Sequence, residues 1–443
     1  MNKRKTILLL FFILAILAYS RSNGSAVDAA GLPNAQDING DALASIPPVS
    51  DAIKSFQDRI RQNPKDAVSY AILGDLYIRQ ARETGDVAGY QRAEASLNEA
   101  LKLLPGYSPA GSALASAYYA QHKFSDALEL AQRVYDSNPK NLSALVTVAD
   151  AQLALGSYQQ AETIYQNLMD TDATSPLVAR LASLEELKGK PQNALELMRR
   201  AAGDALHSGG TQESVAWYVL RVGDIYFNMG ELKQAGDYYE AALRVFDNYH
   251  LALAGLGKVR AAEGRYDEAI AYYQRAINII PQPDYLAALG DLYMLTEQPD
   301  QAQVQYKTVE YIGKLAALNK QVYNRQLANF YSDHDLKLKE ALRLALVELE
   351  SRKDIYGYDA AAWAYYKNSN FKEAQSVMDH AMALGTRDAR LYYHAGMIAL
   401  QLDNEAQARE YLEQALEINP HFSVLYADEA RTTLEELQAM ETK

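Results

Sequence analysis

Residues 250–283 read HLALAGLGKVRAAEGRYDEAIAYYQRAINIIPQP. The stretch divides into two short amphipathic helices joined by a tight turn. Leu256, Gly257, Ala261 and Ala262 run along the first helix. Gly264 closes it, because glycine enters the left-handed conformation at no steric cost. Tyr266 opens the second helix, where Ala269, Tyr273 and Ala276 fall three to four residues apart on one face. Pro281 ends it, since proline cannot join the helical ladder. A helix pair this small cannot bury its apolar faces alone, so it needs a similar pair on each side.

The chain supplies those pairs. With Ala269 at slot 20 of a 34-residue unit, alanine recurs there at Ala93, Ala127, Ala161, Ala194, Ala235, Ala302, Ala341, Ala374 and Ala408. The frame needs a one-residue slip at Ala341 and a seven-residue insertion before Ala93. Slot 8 is small throughout: Gly74, Ala115, Ala149, Ala182, Gly223, Gly257, Gly290, Ala328, Ala362 and Gly396. Slot 32 is proline at Pro105, Pro139, Pro281 and Pro420. Small residues at slots 8 and 20 suit the point where two helices cross most closely.

This pattern resembles the tetratricopeptide repeat family, a 34-residue helix–turn–helix with small residues at those slots. The resemblance covers about residues 67–420. It implies an all-α fold, a right-handed superhelical solenoid of about ten helix pairs, and a protein that binds proteins. The sequence departs from the family in lacking its slot-4 Trp. Slot 27, usually Ala, is Val134, Leu168, Val309 and Glu348 in four units, which are expected to pack more loosely.

The solenoid is expected over 65–420, with a capping helix at each end. Residues 50–64 carry the apolar stripe Ile53, Phe56 and Ile60. Residues 421–443 carry Val424, Leu425, Ala427, Leu434 and Leu437. Residues 21–49 read as a flexible linker rich in Gly and Pro. Residues 1–20 read as a signal peptide or N-terminal membrane anchor. Lys3, Arg4 and Lys5 precede an apolar run from Ile7 to Tyr19, and Ala18-Tyr19-Ser20 fits a cleavage site. The uncharged span 6–20 covers about 22 Å against a hydrocarbon core of about 30 Å, so cleavage and anchoring both stay open. Either outcome exports the solenoid to the cell envelope or beyond.

Within the solenoid, residues 80–89, 203–215 and 311–320 interrupt the frame. They read as hinges or, more readily, as extensions of neighbouring helices. Ser108-Pro109 and Ser175-Pro176 read as N-cap serines ahead of a first-turn proline.

The net charge of −13 argues against nucleic-acid binding. The absence of Cys excludes disulfides, a thiolate nucleophile, Cys-ligated zinc and a lipidated Cys. No two of the seven His have the spacing of a helical metal pair. Phosphate loops, nucleophile elbows and dinucleotide fingerprints are missing from the sequence. No catalytic, cofactor-binding or metal-binding residue is expected, and the chain is not read as an enzyme.

The resemblance directs attention to the groove, where family members present slots 2, 5, 9, 12 and 13 of their first helices. Slot 9 holds Asp75, Asp150, Asp224 and Asp291, and Tyr119, Trp217 and Phe227 add aromatic surface. These residues form an acidic groove suited to a basic or extended peptide. In the alternative reading the aspartates bond neighbouring units. In the last three units, Arg325 and Asn329 stand at slots 5 and 9, and Arg390 and His394 at slots 2 and 6. That set is similar to the family's carboxylate clamp, although Ala360, next to Asp359, replaces the clamp's middle Asn. Trp363, Tyr366 and Tyr393 form either an aromatic groove patch or core.

The sequence thus leads to an extracytoplasmic scaffold with a protein or peptide partner in its groove, touching the membrane through the N-terminal segment if uncleaved. An assembly or secretion factor that holds exported clients, and a self-associating scaffold, are the alternatives.

Overall fold

The computed structural model describes residues 34–38, 49–171, 173–318 and 324–441. The expected signal or anchor at 1–20 lies outside them. Among the described residues there are 22 α-helices and no strand. Ten helix pairs run from unit 1 (Ala67–Thr84 with Ala88–Leu103) to unit 10 (Ala389–Gln401 with Glu405–Ile418). First helices of successive units touch one another, while second helices stand further apart. The first helices therefore form the inner wall of the solenoid and the second helices the outer wall.

Each unit closes around its small slots. A Cβ on Gly223 would lie 2.8 Å from the Tyr239 ring and 3.2 Å from the carbonyl oxygen of Ala235, at slot 20. Gly257 is covered by Tyr273 and Gly290 by Tyr306 in the same way. Slot 8 is small, then, both for the helix crossing and to seat the ring at slot 24. The larger slot-27 residues do not loosen their units, because Val134, Leu168, Val309 and Glu348 are all buried. Gly111 makes room for the first of these, its Cα facing the Val134 methyl.

The inserts lengthen helices. The first helix of unit 1 runs to Thr84, the second of unit 4 from Pro191 to His207, and the second of unit 7 from Pro299 to Leu318. Ser108 and Ser175 do not cap. Tyr107 and Thr174 hold the cap positions without a side-chain bond, and Ser108 instead accepts from Asn141 Nδ2 at 2.7 Å, tying units 2 and 3. Side-chain caps come from Asp66, Asn141, Thr211, Asp354, Asp388 and Asn404.

At the N-terminal end, helix Val49–Gln62 packs Ile53, Phe56 and Ile60 on Leu73, Leu76 and Tyr77. The C-terminal helix is Ala427–Glu441, shorter than the sequence implies. Asn419 holds the preceding residues in a turn, its Oδ1 accepting from His421 N and its Nδ2 donating to Phe227 O, both at 2.8 Å. The expected linker also differs. The 3-10 turn Ala35–Asp37 docks on the outer wall of unit 5, where Arg244 donates to the carbonyls of Ala35 and Ile38, and Ile38 is buried.

The solenoid stacks on itself five to six units on. Lys353 N donates to Ala154 O at 3.0 Å, and Ile355 N to Tyr158 OH at 2.9 Å. Thr386 Oγ1 donates to Leu187 O. Near unit 1, the turn at Gly85 meets His250 and Ile280 of unit 6. His250 is 5% exposed, and burial lowers its pKa to about 4. The unfolded chain, with a His pKa near 6.5, therefore takes up the proton first as pH falls. Stability of about 3 kcal/mol is lost as pH drops from about 6.5 to 4. His250→Gln should remove that slope, so the variant and parent should converge in urea midpoint toward pH 4. A constant difference across the range would rule the assignment out.

Candidate functional site on the inner wall

The slot-9 aspartates are built into the wall. Tyr165, Tyr239 and Tyr306, each at slot 24, donate to Asp150, Asp224 and Asp291 of their own units at 2.5, 2.8 and 2.8 Å. Arg180 of unit 4 grips Asp150 of unit 3 with both Nε and Nη2, at 2.6 and 2.7 Å. Arg221 bridges Asp224 at 2.8 Å and Glu186 of the preceding unit at 3.0 Å. His334 Nε2 lies 2.6 Å from Asp291. Asp75, in a unit with Leu97 at slot 24, has no such tyrosine. The acidic groove is thereby corrected: three of its four aspartates are paired within the chain, and Lys258 occupies slot 9 of unit 6.

Asp75, Lys258 and Asp284 keep solvent-exposed surface but are surrounded by protein. Lost solvation raises the pKa of both aspartates and lowers that of Lys258.

Of the expected groove residues, Tyr119, Asp150 and Trp217 come together. With Tyr165, Pro176, Arg180 and Tyr218 they line a cavity of 250 Å³ spanning units 2 to 5. Trp217 meets Tyr218 edge to face at 5.2 Å. The hydroxyls of Tyr119 and Tyr218 and the Trp217 indole N–H have no hydrogen-bond partner among the described residues. Burial pushes both phenols up to about 12, so they stay protonated and able to donate.

Other candidates lie elsewhere. Phe227, Trp363 and Tyr393 are core residues, between 1 and 2% exposed, and offer no ring face to a ligand. Lys258 caps the Phe227 ring at 4.0 Å. Trp363 stacks on His394 at 4.1 Å and on half-buried Tyr366 at 4.6 Å. The clamp-like side chains are engaged within the chain. Arg390 binds Asp333 at 3.0 Å, and His394 Nδ1 lies 2.7 Å from Asp359. Arg325 lies 3.5 Å from Asp354, and Asn329 is half-buried.

Sequence reading overlooked Arg180, Tyr218, Lys258 and Asp284. One signal was present: Asp at slot 9 accompanies Tyr at slot 24 in units 3, 5 and 7. Among the described residues, no three His, Asp or Glu converge on a metal position, and no helix is long and apolar enough to cross a membrane.

Comparison with known proteins matches this architecture. Tetratricopeptide-repeat family models match residues 119–184, 213–282 and 389–422. BBSome complex member BBS4 from Bos taurus is 24% identical over 247 residues, covering 54% of this chain and 44% of that protein. NrfG, a formate-dependent nitrite reductase complex subunit from Escherichia coli O157:H7, is 24% identical over 33% of this chain and 69% of its own length. The chain spans less than half of the first two curated relatives it matches, 44% and 39% of their lengths. The structure of yeast Tom70 aligns over 89% of this chain and 93% of its own, at 16% identity and a TM-score of 0.35. The three matches and the ten helix pairs together identify the chain as a tetratricopeptide-repeat helical solenoid.

Proposed function

We propose that the chain is an exported, membrane-tethered scaffold that holds a partner polypeptide along its inner wall. The partner's anchor is an apolar or aromatic side chain seated between Tyr119, Trp217 and Tyr218. The observation that carries this reading is the cavity itself: three aromatic residues from units 2 and 5, with three unused donors at their edges. Protonated Tyr119 and Tyr218 can bind main-chain carbonyls of an extended segment. Internal pairing of Asp150, Asp224 and Asp291 removes the charge that would select a basic partner, so side-chain shape, not net charge, sets selectivity.

Selection of a displayed peptide library on the full chain should give a consensus with one large apolar or aromatic position. Trp217→Ala should weaken the selected peptide about thirtyfold or more, the effect of losing an interface anchor. Peptides without a consensus, bound equally by the variant, would sink the anchor and favour broad holding of exported clients. A C-terminal alkaline phosphatase fusion should be active. An inactive phosphatase beside a fluorescent cytoplasmic reporter would exclude export.

A further inference from the structure

The second helix of unit 7, Pro299–Leu318, is the longest described helix at 20 residues. It carries an apolar stripe that no described residue covers. Val304, Tyr311, Leu315 and Leu318 are 58, 61, 39 and 80% exposed. Their spacings of seven, four and three residues place them on one face. Lys307 and Lys314, both exposed, flank one edge of that face and make no ion pair among the described residues. In a chain of net charge −13, this is a local basic and apolar strip on the outer wall.

We infer that this strip docks on the anionic surface of the membrane that the N-terminal segment is proposed to occupy. The inference rests on that tethering. Three observations support it. An apolar stripe edged by lysines is the pattern of a helix lying in a bilayer interface. The chain enters the solenoid on the same outer wall, at Ala35–Asp37 on unit 5, two units away. Only 14 residues of chain separate Ser20, at the end of the N-terminal apolar segment, from Asn34 beside that turn. A second copy fits less well. In an antiparallel pairing of two such helices, like edges meet, and the lysines of one copy face those of the other.

The absence of Cys allows a single spin label at any chosen position. The full chain is labelled at Tyr311→Cys or Leu318→Cys, with Leu104→Cys as an exposed apolar control. It is mixed with vesicles of phosphatidylcholine alone or with phosphatidylglycerol, and flotation is read beside label accessibility. The expected result is flotation on both, with labels at 311 and 318 shielded from an aqueous nickel reagent and open to oxygen only on anionic vesicles. The Leu104 label stays aqueous. Lys307→Gln/Lys314→Gln should shift the lipid-exposed population back toward water roughly thirtyfold. Flotation with aqueous labels overturns the docking and leaves the tether intact. Failure to float, with aqueous labels, overturns both. Equal shielding on phosphatidylcholine removes the role of the lysines and overturns the assignment. Labels immobilised without vesicles, in proportion to protein concentration, assign the strip to a second copy.

Discussion

Trp363→Ala is expected to cost about 3–5 kcal/mol and to release the C-terminal end of the solenoid before the rest. The ring is 1% exposed and joins unit 9, unit 10 and the final helix. It stacks on Tyr366 and His394, meets Tyr393 at 5.8 Å, and takes the edge of Tyr426 at 5.6 Å. Its Nε1 donates to Asp333 at 2.9 Å, beside Tyr426 OH at 3.2 Å and Arg390 at 3.0 Å. Truncation leaves a cavity among four aromatic rings and removes one of three donors from a half-enclosed carboxylate. A solenoid's stability is a sum over neighbouring units, so the loss falls locally. Hydrogen exchange should accelerate across 355–441 while units 2 to 6 hold their protection. Trp363→Phe should recover part of the packing without the hydrogen bond. Uniform acceleration along the chain, or none, would contradict the local cluster.

The repeat frame was legible in the sequence because it rests on sterics. Small residues at slots 8 and 20 answer a helix crossing that any such pair must make, and ten concordant copies leave little room for another register. What lies between units was less legible. Asp150 looked like groove charge because its partners, Tyr165 and Arg180, lie 15 and 30 residues away. Folding of the unit brings the first to it, and stacking of units the second. Trp363 and Tyr393 occupied groove slots by count, yet Tyr426 stacks on Tyr393 and donates to Asp333, while Glu429 of the final helix accepts from the Tyr393 hydroxyl, and both Tyr426 and Glu429 lie beyond the repeats. The docking of Ala35 and Ile38 on unit 5 was invisible for the same reason: a Gly- and Pro-rich segment shows no periodicity, and its partner Arg244 is over 200 residues distant. The stacking of distant turns also has no signature in a 34-residue frame, except at turn glycines, two of which press closely on a carbonyl oxygen.

Those glycines carry the second large expectation. Gly156 and Gly189 sit at the turns of units 3 and 4 with φ of +81° and +70°. A Cβ on Gly189 would lie 2.1 Å from the carbonyl oxygen of Gly385, and one on Gly156 2.7 Å from that of Lys353. Both obstacles are backbone, so neither can rotate away. Gly264, in the turn of unit 6, has φ of +73° and nothing within 4 Å of the same position. Gly264→Ala therefore measures the left-handed strain alone, about 1–2 kcal/mol. Gly156→Ala/Gly189→Ala adds a clash that can be relieved only by parting the stacked turns. The Lys353 amide, bonded to Ala154 O in the parent, should then exchange roughly five- to a hundredfold faster, the range that overpacking of about 1–3 kcal/mol brings. Small-angle scattering should show a longer particle, because units 3 and 4 no longer rest against the links on either side of unit 9. Gly264→Ala should leave both readouts unchanged. If the double variant kept the parent scattering curve and Lys353 protection, the pitch would be set within the units themselves. If both moved as stated, these two turns are what hold the solenoid closed around its inner wall, and residue size at slots 15 of units 3 and 4 governs how far that wall can open to admit a partner.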